Sequence, residues 1–158
     1  NDEVVESLVG SSKATLVAER GEPGLRAAEA EVALMLISGA ADPGGRYVAG
    51  LPAGALLDKR VIAALLETPG VYVVWLRARV ETLAARVAAD PADRPWLSGD
   101  LASAIEALRP PREAAFDRVA HLIVDVDDLT PPEVAYAIAT AAGEDGPGRM
   151  GGGGWAGE

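Results

Sequence analysis

Apolar and polar positions change period several times along this chain, and each change marks a predicted element. Residues 4–9 carry helical spacing that Gly10-Ser11-Ser12 ends. Ser12 is placed to cap a second helix over 13–20, which Gly21-Glu22-Pro23 breaks. The pattern over 24–38 is longer, with Leu25, Val32, Leu34, Met35 and Ile37 on or near one side of an amphipathic helix. A loop over 39–45 leads into a short strand at 46–51, a turn at 52–55 and a helix over 56–66. The run Val71-Tyr72-Val73-Val74-Trp75-Leu76 reads as a buried strand, and 80–89 as a helix. Residues 100–118 form a long helix, with Pro110-Pro111 marking a break or kink in it. A third strand follows at 121–126. Thr130 then caps a helix over 131–142 that has proline in its permissive first turn.

Strands separated by helices of this length predict an α/β fold, a three-layer α/β/α sandwich around a parallel sheet. In such sheets ligands sit at the carboxyl ends of the strands. That directs attention to 52–55, to the turn at 77–81 and to Asp127-Asp128. A core strand, a helix and the basic loop Asp93-Arg94-Pro95-Trp96-Leu97 follow one another directly. That order suits a phosphoryl-transfer lid around 90–100, in which an arginine folds over charged phosphates. Residues 143–158 hold 8 of the 18 glycines without periodicity, and read as a disordered tail on a domain spanning 1–142.

Composition narrows the classes. With 158 residues, 49% of them hydrophobic, one domain with a real core is expected. No apolar stretch is long enough to span a bilayer, and no leader pattern opens the chain. The absence of cysteine excludes disulfides, thiolate metal sites and cysteine nucleophiles. These features point to a cytoplasmic protein. A net charge of −10 argues against a nucleic-acid partner but leaves anionic small molecules open, because a few cleft arginines can dominate the local field. The only lysines are Lys13 and Lys59, while arginine, the better residue for bidentate grips on carboxylate and phosphate, is plentiful. His121, the single histidine, opens an apolar strand and reads as structural. Asp125, Asp127 and Asp128 read as a strand end with a helix cap nearby rather than a cation site.

Four motifs in order resemble the shikimate kinases, compact P-loop kinases of the P-loop NTPase fold. They are Asp2-x-x-Val5-Glu6-x-x-x-Gly10-x-Ser12, Gly21-Glu22-Pro23-Gly24-Leu25-Arg26-x-x-Glu29, Arg94-Pro95-Trp96-Leu97 and Arg112-Glu113-Ala114-Ala115-Phe116. The resemblance implies transfer of the γ-phosphoryl of ATP, with Mg2+, to a hydroxyl of shikimate, by a protein expected to be a monomer. It implies that Asp2 orients or deprotonates that hydroxyl, where the alternative role is a helix N-cap. Arg26 and Arg112 would hold the substrate carboxylate, and the alternative for Arg26 is a helix-face pair with Glu22 or Glu29. Arg94 would meet the phosphates as the lid closes, and the alternative is a loop pair with Asp90 or Asp93. Leu25 stands where the family has a substrate-facing Phe, and Gly54 keeps one of three glycines that approach the substrate.

The chain also departs from that pattern. No Gly-x-x-x-x-Gly-Lys-Ser/Thr phosphate cradle occurs in it, and Lys13 lacks the glycines and the strand-to-helix context of one. With its abrupt start at Asn1, this reads as a domain whose first strand and P-loop lie upstream, and whose isolated activity would be lost. Pro52-Ala53-Gly54 replaces the triple glycine, and Trp96 replaces a lid leucine. Two other readings remain: a non-catalytic relative that binds a ligand or partner, and a related small-molecule kinase of gluconate type.

Overall fold

Two short parallel strands, β1 (Val74–Arg77) and β2 (Leu122–Asp125), pair in register from Val74 against Leu122 to Arg77 against Asp125. The computed structural model describes residues 10, 13–39, 47–89 and 100–145. The predicted helix at 4–9, the Ser12 cap, Asp2, the lid with Arg94 and Trp96, and 146–158 lie outside the described residues. Helix α1 (Lys13–Ile37) is followed by a 3-10 turn (Ala53–Leu57) and α2 (Lys59–Glu67). After β1 come α3 (Val80–Ala89) and α4 (Leu101–Val119), and after β2 comes α5 (Pro131–Asp145).

Successive residues of a strand point to opposite faces, and β1 uses both. Trp75 stacks on Phe116 of α4, and Phe116, with Val71 and Val73 just before the strand, packs on a core made by Ala30, Ala33 and Ile37 of α1, Val61, Ile62 and Leu65 of α2, and Ala115 and Val119 of α4. Val74 turns the other way, onto Val124, Val126 and the α5 side chains Val134, Ala137 and Ile138. Helices therefore cover both faces of a parallel sheet, the expected α/β layering.

Local chemistry explains the boundaries. Gly21 (φ 67°, ψ −177°) breaks α1 where the Gly21-Glu22-Pro23 signal lies, in a region of backbone space that only glycine enters without strain. Asp58 caps α2 by accepting from the Arg60 backbone N–H at 2.8 Å. Asp100 caps α4 by accepting from Ala102, and holds the Ser103 hydroxyl. At α5 the Thr130 N–H and hydroxyl both donate to Glu133, at 2.7 and 2.6 Å. Pro131 and Pro132 cannot donate there, so Glu133 closes the helix start from the other side, as in a capping box.

Several expectations are corrected. Residues 47–51 form no strand, and Val48 is fully exposed. The helix expected over 56–66 splits at Asp58 into the 3-10 turn and α2. β1 begins three residues late, because its partner β2 starts only at Leu122. Val73 is held instead by His121, whose N–H donates to the Val73 carbonyl and whose Nδ1 accepts the Val73 N–H at 3.0 Å. With its ring stacked on Tyr72, His121 does structural work. Helix α4 runs unbroken through Pro110-Pro111, and α5 reaches Asp145, three residues past its predicted end.

Candidate functional site

The second half of α1 presents Arg26 between two carboxylates at helical spacing. Its Nη1 donates to Glu29 at 2.7 Å and its Nη2 to Glu22 at 3.0 Å. Glu29 is the one buried charged side chain among the described residues, at 4% exposure. Burial pulls the pKa of Arg26 down, but the bonds and charges of Glu29 and Glu22 outweigh it and leave the group above its usual value. The helix-face pairing proposed from spacing therefore forms, and it holds the guanidinium at a cavity rather than out in solvent.

Gly54, buried in the 3-10 turn, lies against that pair. A Cβ there would overlap Arg26 Nη1 and Glu29 Oε2, so any larger residue must displace the ends of those two side chains; the constraint is close approach rather than φ. Across the cavity α4 brings Arg112. Its Nε is buried without a hydrogen-bond partner, a costly condition for a charged donor. Burial and then the neighbouring charge of Arg26 lower its pKa, while Glu29 and Glu22 act the other way. Two guanidiniums thus converge, and Glu29 and Glu22 bond only one of them. An anion between them would relieve both the desolvation and the repulsion.

The cavity has a volume of about 450 Å³ and is lined by Arg26, Glu29, Pro52–Gly54 and Arg112, with Trp75 and Phe116 forming an aromatic wall. Those two rings stack with centroids 5.1 Å apart. A few charged groups, among them Arg77, Arg109 and Glu113, together with apolar walls are the usual make-up of a small-molecule site.

Of the residues singled out in the sequence, the structure brings Arg26, Gly54 and Arg112 together. Leu25 is fully buried and is not among the residues lining this cavity, since one step along a helix rotates its side chain away from that of Arg26. Asp2 and Arg94 lie outside the described residues. Trp75 reads from the sequence only as part of a strand; alternation sets it on the face opposite Val74, and the packing shows that this face is the cavity side.

Beside this cavity the strand ends carry paired charges. Arg77 donates to both Asp125 oxygens, at 2.6 and 2.9 Å, and the bond from Arg77 holds the Asp125 carboxyl below its usual range. Asp127 accepts the Arg79 backbone N–H at 2.9 Å. Its carboxyl is lowered by the Thr82 hydroxyl first and Arg79 second. Asp128 reaches Arg79 only at 3.9 Å. Among the described residues no three His, Asp or Glu side chains are grouped to hold a metal ion.

Comparison with known proteins agrees with the geometry. The family model described as Shikimate kinase matches residues 1–142. A protein named shikimate kinase from Thermobifida fusca (strain YX) is 34% identical over 138 residues, covering 87% of this chain and 75% of that protein. Another so named, from Symbiobacterium thermophilum, is 32% identical over 139 residues, covering 87% and 76%.

Proposed function

The chain belongs to the shikimate kinase family, and we propose on that premise that its acceptor is shikimate, phosphorylated by ATP at the 3-hydroxyl. The observation that carries the proposal is the pair Arg26 and Arg112, converging on one cavity with the Arg112 Nε unbonded. An acid whose carboxylate bridges the two guanidiniums has its ring fixed against Gly54 and the Trp75–Phe116 wall. Orientation of that kind lowers the entropic part of the barrier.

In the proposed reaction the acceptor oxygen attacks the γ-phosphorus as the bond to the ADP oxygen breaks. The hydroxyl proton passes to the Asp2 carboxylate, and Arg94 neutralises charge on the transferring group. Both roles come from the motif positions of these residues. Magnesium would arrive with the nucleotide, and no step here depends on its placement. We place the protein in the cytoplasm as a monomer. No helix among the described residues is long and apolar enough to cross a membrane.

A second reading, a relative that binds the acid without turning it over, draws on Pro52 and Ala53. Proline offers no N–H to a ligand and Ala53 adds a methyl group at the cavity wall. Assay of label transfer from γ-labelled ATP, using the protein as its gene encodes it and a panel of shikimate, quinate and gluconate, separates the readings. Transfer to shikimate ahead of the others is expected. Transfer to gluconate alone would replace the acceptor, and shikimate binding without transfer would favour the second reading.

A further inference from the structure

We infer that Arg77 is a positioning residue for the acceptor, acting through Trp75 and Phe116 on the turn of α4 that carries Arg112. The inference rests on the reading of Arg26 and Arg112 as the carboxylate grip. Arg77 ends β1, and its guanidinium forks onto both oxygens of Asp125 in β2. The same guanidinium lies 5.6 Å from the ring centroid of Trp75, two residues back on the same strand face. Trp75 stacks on Phe116 at an interplanar angle of 22°. Phe116 is four residues beyond Arg112, so the two side chains are neighbours on one helix face. Asp125, Arg77, Trp75 and Phe116 form a column from the sheet to α4, and all but Asp125 line the acceptor cavity.

Helix α4 needs outside support at this point. Pro110 and Pro111 lie within it immediately before Arg112. Neither has an N–H, so two consecutive hydrogen bonds of the helix ladder are lost in the turn that sets the direction of Arg112. The Arg112 Nε has no partner to fix it, and its position follows that of the helix. A ring held by a paired strand supplies what the backbone there lacks. Arginine suits the role because one planar group can bond the carboxylate at its edge and stack with its face, which lysine cannot do.

The test compares Arg77→Gln, Arg77→Lys and Asp125→Asn with the parent by amide hydrogen exchange and by calorimetric titration with shikimate. In Arg77→Gln the amides of 112–116 should exchange roughly two- to fivefold faster, the factor for losing a partly exposed stacking contact. The α2 amides should be unchanged, and shikimate should bind more weakly by a similar factor. Asp125→Asn should act in the same direction, and the double variant should add little to Arg77→Gln. Arg77→Lys should recover part of the loss. Unchanged exchange at 112–116, acceleration spread equally over α2, or unchanged affinity despite faster exchange would overturn the inference. A parent protein that ignores shikimate would instead refute the acceptor assignment, and the exchange comparison would still decide whether the column holds α4.

Discussion

Arg26 and Arg112 have different surroundings, and the difference assigns their parts. Glu22 and Glu29 already bond Arg26, so its place and charge are fixed before any ligand arrives. Arg112 has burial and a like charge against it and no bond at Nε. Arg112 therefore gains more from an incoming carboxylate, while Arg26 defines where the carboxylate must sit. Gly54 tests this arrangement from a third side. In Gly54→Ala the added methyl must displace Arg26 or Glu29, and shikimate affinity is expected to fall about tenfold or more, since overpacking costs roughly 1–3 kcal/mol. Titration of the purified variant checks this, and unchanged affinity with unchanged melting temperature would show that the turn simply moves aside.

At the scale of elements, much was legible in the sequence because turn chemistry is local. Gly21-Glu22-Pro23 marks the break in α1, and the helix read over 100–118 forms as α4, with Asp100 as its cap. Gly21→Ala, which forces a side chain into that glycine-only conformation, is expected to cost about 1–3 kcal/mol. A lower denaturant midpoint with an unchanged slope would be its signature. Strand limits are not legible, because they depend on a partner: β1 starts where β2 can pair with it, and 47–51 takes no strand form. Leu25 shows a related limit. Its neighbour Arg26 reaches the cavity, yet only the packing of α1 shows which of the two turns inward. Glu29, by contrast, was visible as a helical partner of Arg26, and only burial revealed that it fixes Arg26 at the cavity.

For the molecule as a whole, carboxylates on a strongly acidic chain are held by local partners, arginines in some cases and hydroxyl and backbone N–H groups in others. Asp58, Asp100, Asp125, Asp127 and Glu133 all have carboxyls held below their ordinary values by hydrogen bonds. A carboxyl with a lower pKa folded than unfolded contributes stability above its unfolded value and loses it as pH falls. With ordinary values of 3.8 for the aspartates and 4.5 for Glu133, the melting temperature should hold near neutrality. It should then decline as pH drops through about 4.5 and below. Where the partner is an arginine, as for Asp125, added salt should screen the pair and make that part of the decline shallower. A melting temperature that rises on acidification would contradict this picture.

The carboxylate grip is the centre of the account, and calorimetric titration of shikimate into the parent protein, Arg112→Gln and Arg26→Gln tests it most directly. The account predicts saturable binding to the parent. Each substitution should weaken it by roughly tenfold to a hundredfold, the loss of about 1.5–3 kcal/mol for one charged hydrogen-bonding partner. Shikimate methyl ester, which lacks the charge, should bind the parent and Arg112→Gln with nearly equal weakness. If the acid binds Arg112→Gln as tightly as the parent, or the ester binds the parent as tightly as the acid, the two arginines do not hold the substrate's carboxylate.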